Sequence, residues 1–196
     1  MSERKGRKLL VLGVALVVID QIIKVLVKTN MGLGEHFSVI GNWFQILFVE
    51  NEGMAFGWAF GGAAGKFFLS FFRICLCALL VWWINKLSKR EDVPAGVLVG
   101  LTLITAGAFG NIIDSIFYGV IFGHYAPLMF GKVVDMFYFP IIHTTWPAWM
   151  PWVGGTPFTF FDPVFNFADS CVTVGAFYLI LFQWRFFTKE EDKNDK

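Results

Sequence analysis

Five polar side chains stand out in an otherwise apolar chain: Asn111 and Asp114, Asn166 and Asp169, and Asp135 in the string Lys-Val-Val-Asp-Met-Phe. Asn111 and Asp114 are three residues apart, as are Asn166 and Asp169, a spacing that puts both members of a pair on one side of a helix. Polar groups within a hydrophobic segment are costly and mark sites. Carboxylates gathered with carboxamides can coordinate a cation, relay protons or hydrolyse a peptide bond. In the last case two Asp share a proton; one activates a water as general base while the other protonates the carbonyl or the leaving amine. Such a pair titrates as a unit, and neighbouring Asn can orient it or donate to a developing oxyanion. Spacing alone leaves two pairs open, Asp135 with Asp169 or Asp114 with Asp169.

Other chemistries lack their parts. There is no Gly-x-Ser-x-Gly, and His36, His124 and His143 do not form a His-x-x-x-His array with a Glu. Cys75, Cys77 and Cys171 sit in apolar runs, where Cys behaves as a small hydrophobe. No metal site and no organic cofactor are expected.

The elements that must position these residues follow from composition. Of 196 residues 56% are hydrophobic and 16% charged, with 24 Phe and 8 Trp. A soluble fold of this size could not bury so much apolar surface. A net charge of +1 and three Cys exclude a basic nucleic-acid surface and a disulfide scaffold. Four stretches, about 9–27, 67–85, 94–117 and 164–187, approach or exceed the roughly 20 residues that cross a bilayer as helix. The expected fold is an all-α membrane protein, a single domain over 1–196. The first span is too long for a cleavable signal peptide and runs on through Lys24 and Lys28.

Basic residues cluster before the first span (Arg4, Lys5, Arg7, Lys8), between the second and third (Lys86, Lys89, Arg90) and at the end of the fourth (Arg185, Lys189, Lys193, Lys196). This bias places both termini in the cytoplasm and turns segments 31–65 and 118–162 outward. Partly alternating polarity over 37–50 predicts a small sheet. The Trp- and Pro-rich segment 140–163 predicts a platform on the outer leaflet. Asp20 and Lys24 lie one helical turn apart in the first span; Lys28, nearer its outer end, is expected to form a structural ion pair or to snorkel, and Arg73 in the second to snorkel outward.

Taken together, the local motifs resemble those of lipoprotein signal peptidase (signal peptidase II), a bacterial membrane aspartyl peptidase family. Asp20-Gln21-Ile22-Ile23-Lys24 is similar to the family's Asp-Gln-x-x-Lys, and Asn51-Glu52-Gly53-Met54-Ala55-Phe56-Gly57 to its Asn-x-Gly-x-Ala-Phe-Gly/Ser loop. Gly107 to Asp114 matches Gly-Ala-x-Gly-Asn-x-x-Asp, Val133-Val134-Asp135-Met136 matches Val-Val-Asp-Phe, and Phe165 to Ser170 matches Phe-Asn-x-Ala-Asp-Ser. The motifs come in family order and span nearly the whole chain.

The resemblance implies Asp135 and Asp169 as the catalytic pair. It implies Asn51, Gly53, Asn111, Asp114, Asn166 and Ala168 as supporting or substrate-binding residues, and Asp20 and Lys24 as structural ones. The implied substrate is a prolipoprotein whose cysteine already carries diacylglycerol, cut just before that cysteine in the bacterial inner membrane near its outer face. Membrane lipids are the implied surroundings, one chain holds the whole site as a monomer, and inhibition by globomycin-type cyclic peptides is expected. Two features depart from the family: Ser115 stands where an Arg normally follows Asn-x-x-Asp, and the segment between Asp135 and Asn166 is long. Lys132 is the nearest cation in sequence to replace that Arg. The rival function is a proton- or cation-coupled transporter using Asp20, Asp114 and Asp169; a noncatalytic assembly protein would leave the clustered Asp and Asn unexplained.

Overall fold

The computed structural model describes residues 2–52 and 62–188; Gly53, the rest of the 54–57 motif and the charged tail 189–196 lie outside the described residues. The elements run α1 (Ser2–Asn30), β1 (His36–Ile40), β2 (Phe44–Asn51), α2 (Gly62–Ser88), α3 (Ala95–Ile113), a π-helical turn (Asp114–Tyr118), α4 (Gly119–Ile121), β3 (Val133–Tyr138), β4 (Ile142–Thr145), β5 (Pro157–Phe160) and α5 (Phe167–Phe182). They form two compact units. One holds residues 1–23, 52–133 and 167–196, the other 24–51 and 134–166.

The first unit is helical. Arg4–Asn30 (which continues into the second unit), Ala64–Ser88 and Ala95–Ile121 are long and apolar enough to cross a membrane. Exposed Leu10, Val14, Phe68 and Trp82 suit a lipid surround. α3 packs against α2 and α5, with Leu87, Val93, Val97, Leu98, Leu101 and Leu179 as its core. Glycines allow the approach: a Cβ on Gly175 would come 2.8 Å from the Gly100 carbonyl oxygen.

The expected fourth span differs from what is seen. α5 has 16 residues, against the 164–187 read from hydropathy. It starts late because Phe165 is tied by backbone bonds to Phe137; after a bend at Gln183, residues 184–188 are helical again. The third span is also interrupted, by the π-helical turn after Ile113, an irregularity often found at functional sites. Ser115 Oγ donates to the Asn111 carbonyl, and the Ser115 carbonyl accepts the Gly131 N–H at 2.8 Å. Backbone of Ser115 and Gly119 fills the space where a Gly131 side chain would begin, so only glycine fits there.

The second unit carries the strands. β1 and β2 form the antiparallel hairpin expected over 37–50, with a register irregularity between Ser38 and Ile40, and β2 lies between β1 and β3. Phe139 stacks on Phe44 with centroids 4.6 Å apart and on Phe165 at 5.7 Å. The long segment is a separate hairpin, β4 with β5, with Thr145 opposite Pro157. Between Phe139 and Phe161 it has no Asp, Glu, Lys or Arg.

Candidate active site

Asp135 sits in β3, whose residues Val133 to Met136 are all buried. Such a strand gives a carboxylate no water, so its oxygens need donors from the protein. The side-chain amide of Asn51, the last residue of β2, donates to Asp135 Oδ2 at 3.1 Å. The Asn166 amide donates to Oδ1 at 2.6 Å. Asn166 is placed by the residue before it: the Phe165 carbonyl accepts the N–H groups of Met136 at 3.1 Å and Phe137 at 2.7 Å. On the same strand the Tyr138 hydroxyl donates to Asp162 at 3.1 Å; partial burial first, and then that bond, push its pKa above the ordinary 10.

In the first unit Asp169 stands in the first turn of α5, partly exposed, and its Oδ1 accepts the Asn111 side-chain amide at 2.8 Å. Beside this contact is a buried network. Gln21 donates to Asp114 Oδ1 at 2.9 Å and, at 3.2 Å each, to Asp20 Oδ2 and the Gly110 carbonyl. The Tyr118 hydroxyl donates to Gln21 Oε1. Asp20 Oδ1 accepts the Ala168 N–H at 2.9 Å, satisfying one of the amides left open at the start of α5. Asp20 thereby ties α1 to α5, and Ala168 is buried with its amide committed to it.

Helical spacing predicted that Asn111 would share a face with Asp114 and Asn166 with Asp169. The contacts instead cross over: Asn111 serves Asp169, Asn166 serves Asp135, and Gln21 serves Asp114. Asn166 precedes α5, so helical spacing does not apply to it. Asp114 is fully buried beside Gln21, whereas Asp169 is partly exposed. Lys24 is also fully buried.

Several residues were missed or misread from sequence. Gln21 and Tyr118 had no assigned part; a Gln beside Asp20 inside a span was the available signal. Lys28, expected to form a structural ion pair or to snorkel, forms the ion pair: its Nζ pairs with Glu50 and lies 5.8 Å from the Phe48 ring centroid. Arg73, also expected to snorkel, is half-buried on α2, and the charge of Asp169 acts on its guanidinium. Cys75 is exposed rather than buried. A groove of about 610 Å³ along α1, α2 and α3, lined by residues such as Leu9, Val14, Val81 and Thr102, is apolar and holds none of the carboxylates.

The site residues were then set against known proteins. Residues 12–185 match the family model of signal peptidase (SPase) II, peptidase family A8. The chain is 47% identical to a lipoprotein signal peptidase of Porphyromonas gingivalis, over 90% of this chain and 83% of that one. It is 39% identical to a lipoprotein signal peptidase of Amoebophilus asiaticus, over 86% of this chain and 75% of that one. Its fold is similar to a bacterial membrane enzyme solved by the in meso method at 2.3 Å, with TM-score 0.62 and 26% identity, covering 93% of this chain and 90% of that one. A family model that matches most of the chain and relatives that carry the same name agree, and the chain is a member of the signal peptidase II family, whose members are aspartic membrane peptidases.

Proposed function

We propose that this enzyme removes the signal peptide from diacylglyceryl-modified prolipoproteins, cutting just before the lipid-bearing cysteine, with Asp135 and Asp169 as its catalytic pair. The observation that carries the assignment is the matched provision of the two carboxylates. Asp135 is gripped on both oxygens, by Asn51 and Asn166, while Asp169 is held on one oxygen by Asn111 and is partly exposed. A carboxylate held on both oxygens is fixed in direction; a partly exposed one can take up or hand over a proton through water. Between them the pair activates a water and protonates the departing amine, and no metal or organic cofactor enters the reaction.

Asp114 and Asp20 hold helices in this reading, Gly53 and Asn51 border the substrate, and Ala168 and Lys24 support the frame. In this reading the chain crosses the inner membrane four times with both termini in the cytoplasm, and the pair acts near the outer face. The exposed indoles of Trp149 and Trp152 rest the β4–β5 hairpin on the outer leaflet. The enzyme works as a monomer and is open to globomycin-type cyclic peptides. A transporter is not supported, because the family and its named relatives are peptidases. Cleavage of a diacylated prolipoprotein by purified enzyme in liposomes, read as a gel shift, tests the reading; an unlipidated precursor is expected to be left uncut.

A further inference from the structure

We infer that the Lys28–Glu50 ion pair is a positioning device for the reaction, holding Asn51 against Asp135. This rests on the assignment of Asp135 to the catalytic pair.

The pair joins the last turn of α1 to the penultimate residue of β2, and its side chains are 8% and 16% exposed. Lys28 Nζ bonds Glu50 Oε1 and lies over the Phe48 ring. Phe48 and Glu50 are two apart on a strand, so both face the helix end. Asn51 alternates to the other face, the one from which its amide reaches Asp135 Oδ2. Asn51 is the last residue of β2, and strand ends fray unless held. With Lys28 gripping the adjacent residue, β2 stays extended through Asn51 and its amide stays within 3.1 Å of the carboxylate.

The test is a set of variants assayed on lipidated prolipoprotein in liposomes: Glu50→Gln, Lys28→Met, Asn51→Ala, Glu50→Gln with Asn51→Ala, and the conservative Lys28→Arg. Glu50→Gln and Lys28→Met are each expected to lower kcat about tenfold with KM changed less than twofold. Lys28→Arg should retain at least half of the activity, because it keeps the charge. In the Asn51→Ala background, Glu50→Gln should cost less than a further twofold, since the group it positions is gone. A full tenfold loss in that background, or unchanged kcat in both Glu50→Gln and Lys28→Met, overturns the inference. A fall in the thermal midpoint shared by Glu50→Gln in both backgrounds leaves this comparison intact, because folding cancels in the ratio. Asp135→Asn in the same series separates the two levels. Cleavage retained there overturns the assignment of Asp135, whereas cleavage lost there with additive effects at 50 and 51 overturns the positioning role alone.

Discussion

The Asn166 side-chain amide lies 2.6 Å from Asp135 Oδ1, between two residues that are 0% and 2% exposed. A contact this dry cannot be replaced by water, so losing the donor removes a buried hydrogen bond to the carboxylate outright. Asn166→Ala is therefore expected to cost about 1–3 kcal/mol in the stability of the catalytic arrangement. Asn51 is half-buried and donates at 3.1 Å, so Asn51→Ala should cost less. Cleavage rates of the two variants, measured side by side, check the order: equal losses or the reverse order would count against it.

Gly110 supports the other carboxylate network. A Cβ there would stand 2.5 Å from Asp20 Oδ2 and 3.2 Å from the Ala168 side chain. Gly110→Ala should destabilise the protein by about 1–3 kcal/mol through overpacking. Thermal unfolding in detergent should show a lowered midpoint, and Gly6→Ala, where a Cβ would meet nothing within 4 Å, serves as the control.

Ser115 cannot do the work of the arginine found in the resembling family, because it is buried and bonded to its own helix. The structure offers Arg73 as the cation near Asp169. Arg73→Met is expected to reduce kcat/KM about tenfold, on the scale of one charged contact. Ser115→Arg should not improve the enzyme but lower its unfolding temperature, since Ser115 is buried and its carbonyl accepts the Gly131 N–H. Activity above wild type in Ser115→Arg would refute this view of the substitution.

Which parts were legible in the sequence follows from the physics of each residue. Carboxylates in apolar runs are costly enough to betray themselves, so Asp20, Asp114, Asp135 and Asp169 stood out before any coordinates. Asn51, Asn111 and Asn166 were marked as supporting residues too, but which carboxylate each serves was not, because a carboxamide three residues away on a helix need not serve the carboxylate beside it. The crossed pairing of Asn111 with Asp169 and Asn166 with Asp135 depends on packing and on where α5 begins. The hairpin β1–β2 was visible as alternation, but the Lys28–Glu50 pair joins residues 22 apart that only the fold brings together. Hydropathy overran the start of α5 because it does not register the Phe137–Phe165 bridge, and it ran through the bend at Gln183, after which residues 184–188 are helical again.

Trp149 is 80% exposed and Trp152 98%, on a hairpin with no charged residue between Phe139 and Phe161. A two-stranded hairpin with such rings needs cover to be stable. Tryptophan fluorescence in liposomes should be quenched by lipids brominated near the headgroup. Trp149→Ala combined with Trp152→Ala should remove a clear part of that quenching. Quenching unchanged by the double variant would detach this hairpin from the membrane surface.

The most direct measurement is cleavage of a lipidated prolipoprotein by Asp135→Asn, Asp169→Asn and Asp114→Asn enzymes, each first shown to be folded. Loss of at least about a thousandfold is expected in the first two, the scale of removing an acid–base group that acts with its partner. Asp114→Asn should keep measurable cleavage, because its carboxylate serves the Gln21 network. Activity retained in Asp135→Asn with loss in Asp114→Asn would contradict the assigned pair and transfer the chemistry to Asp114 and Asp169.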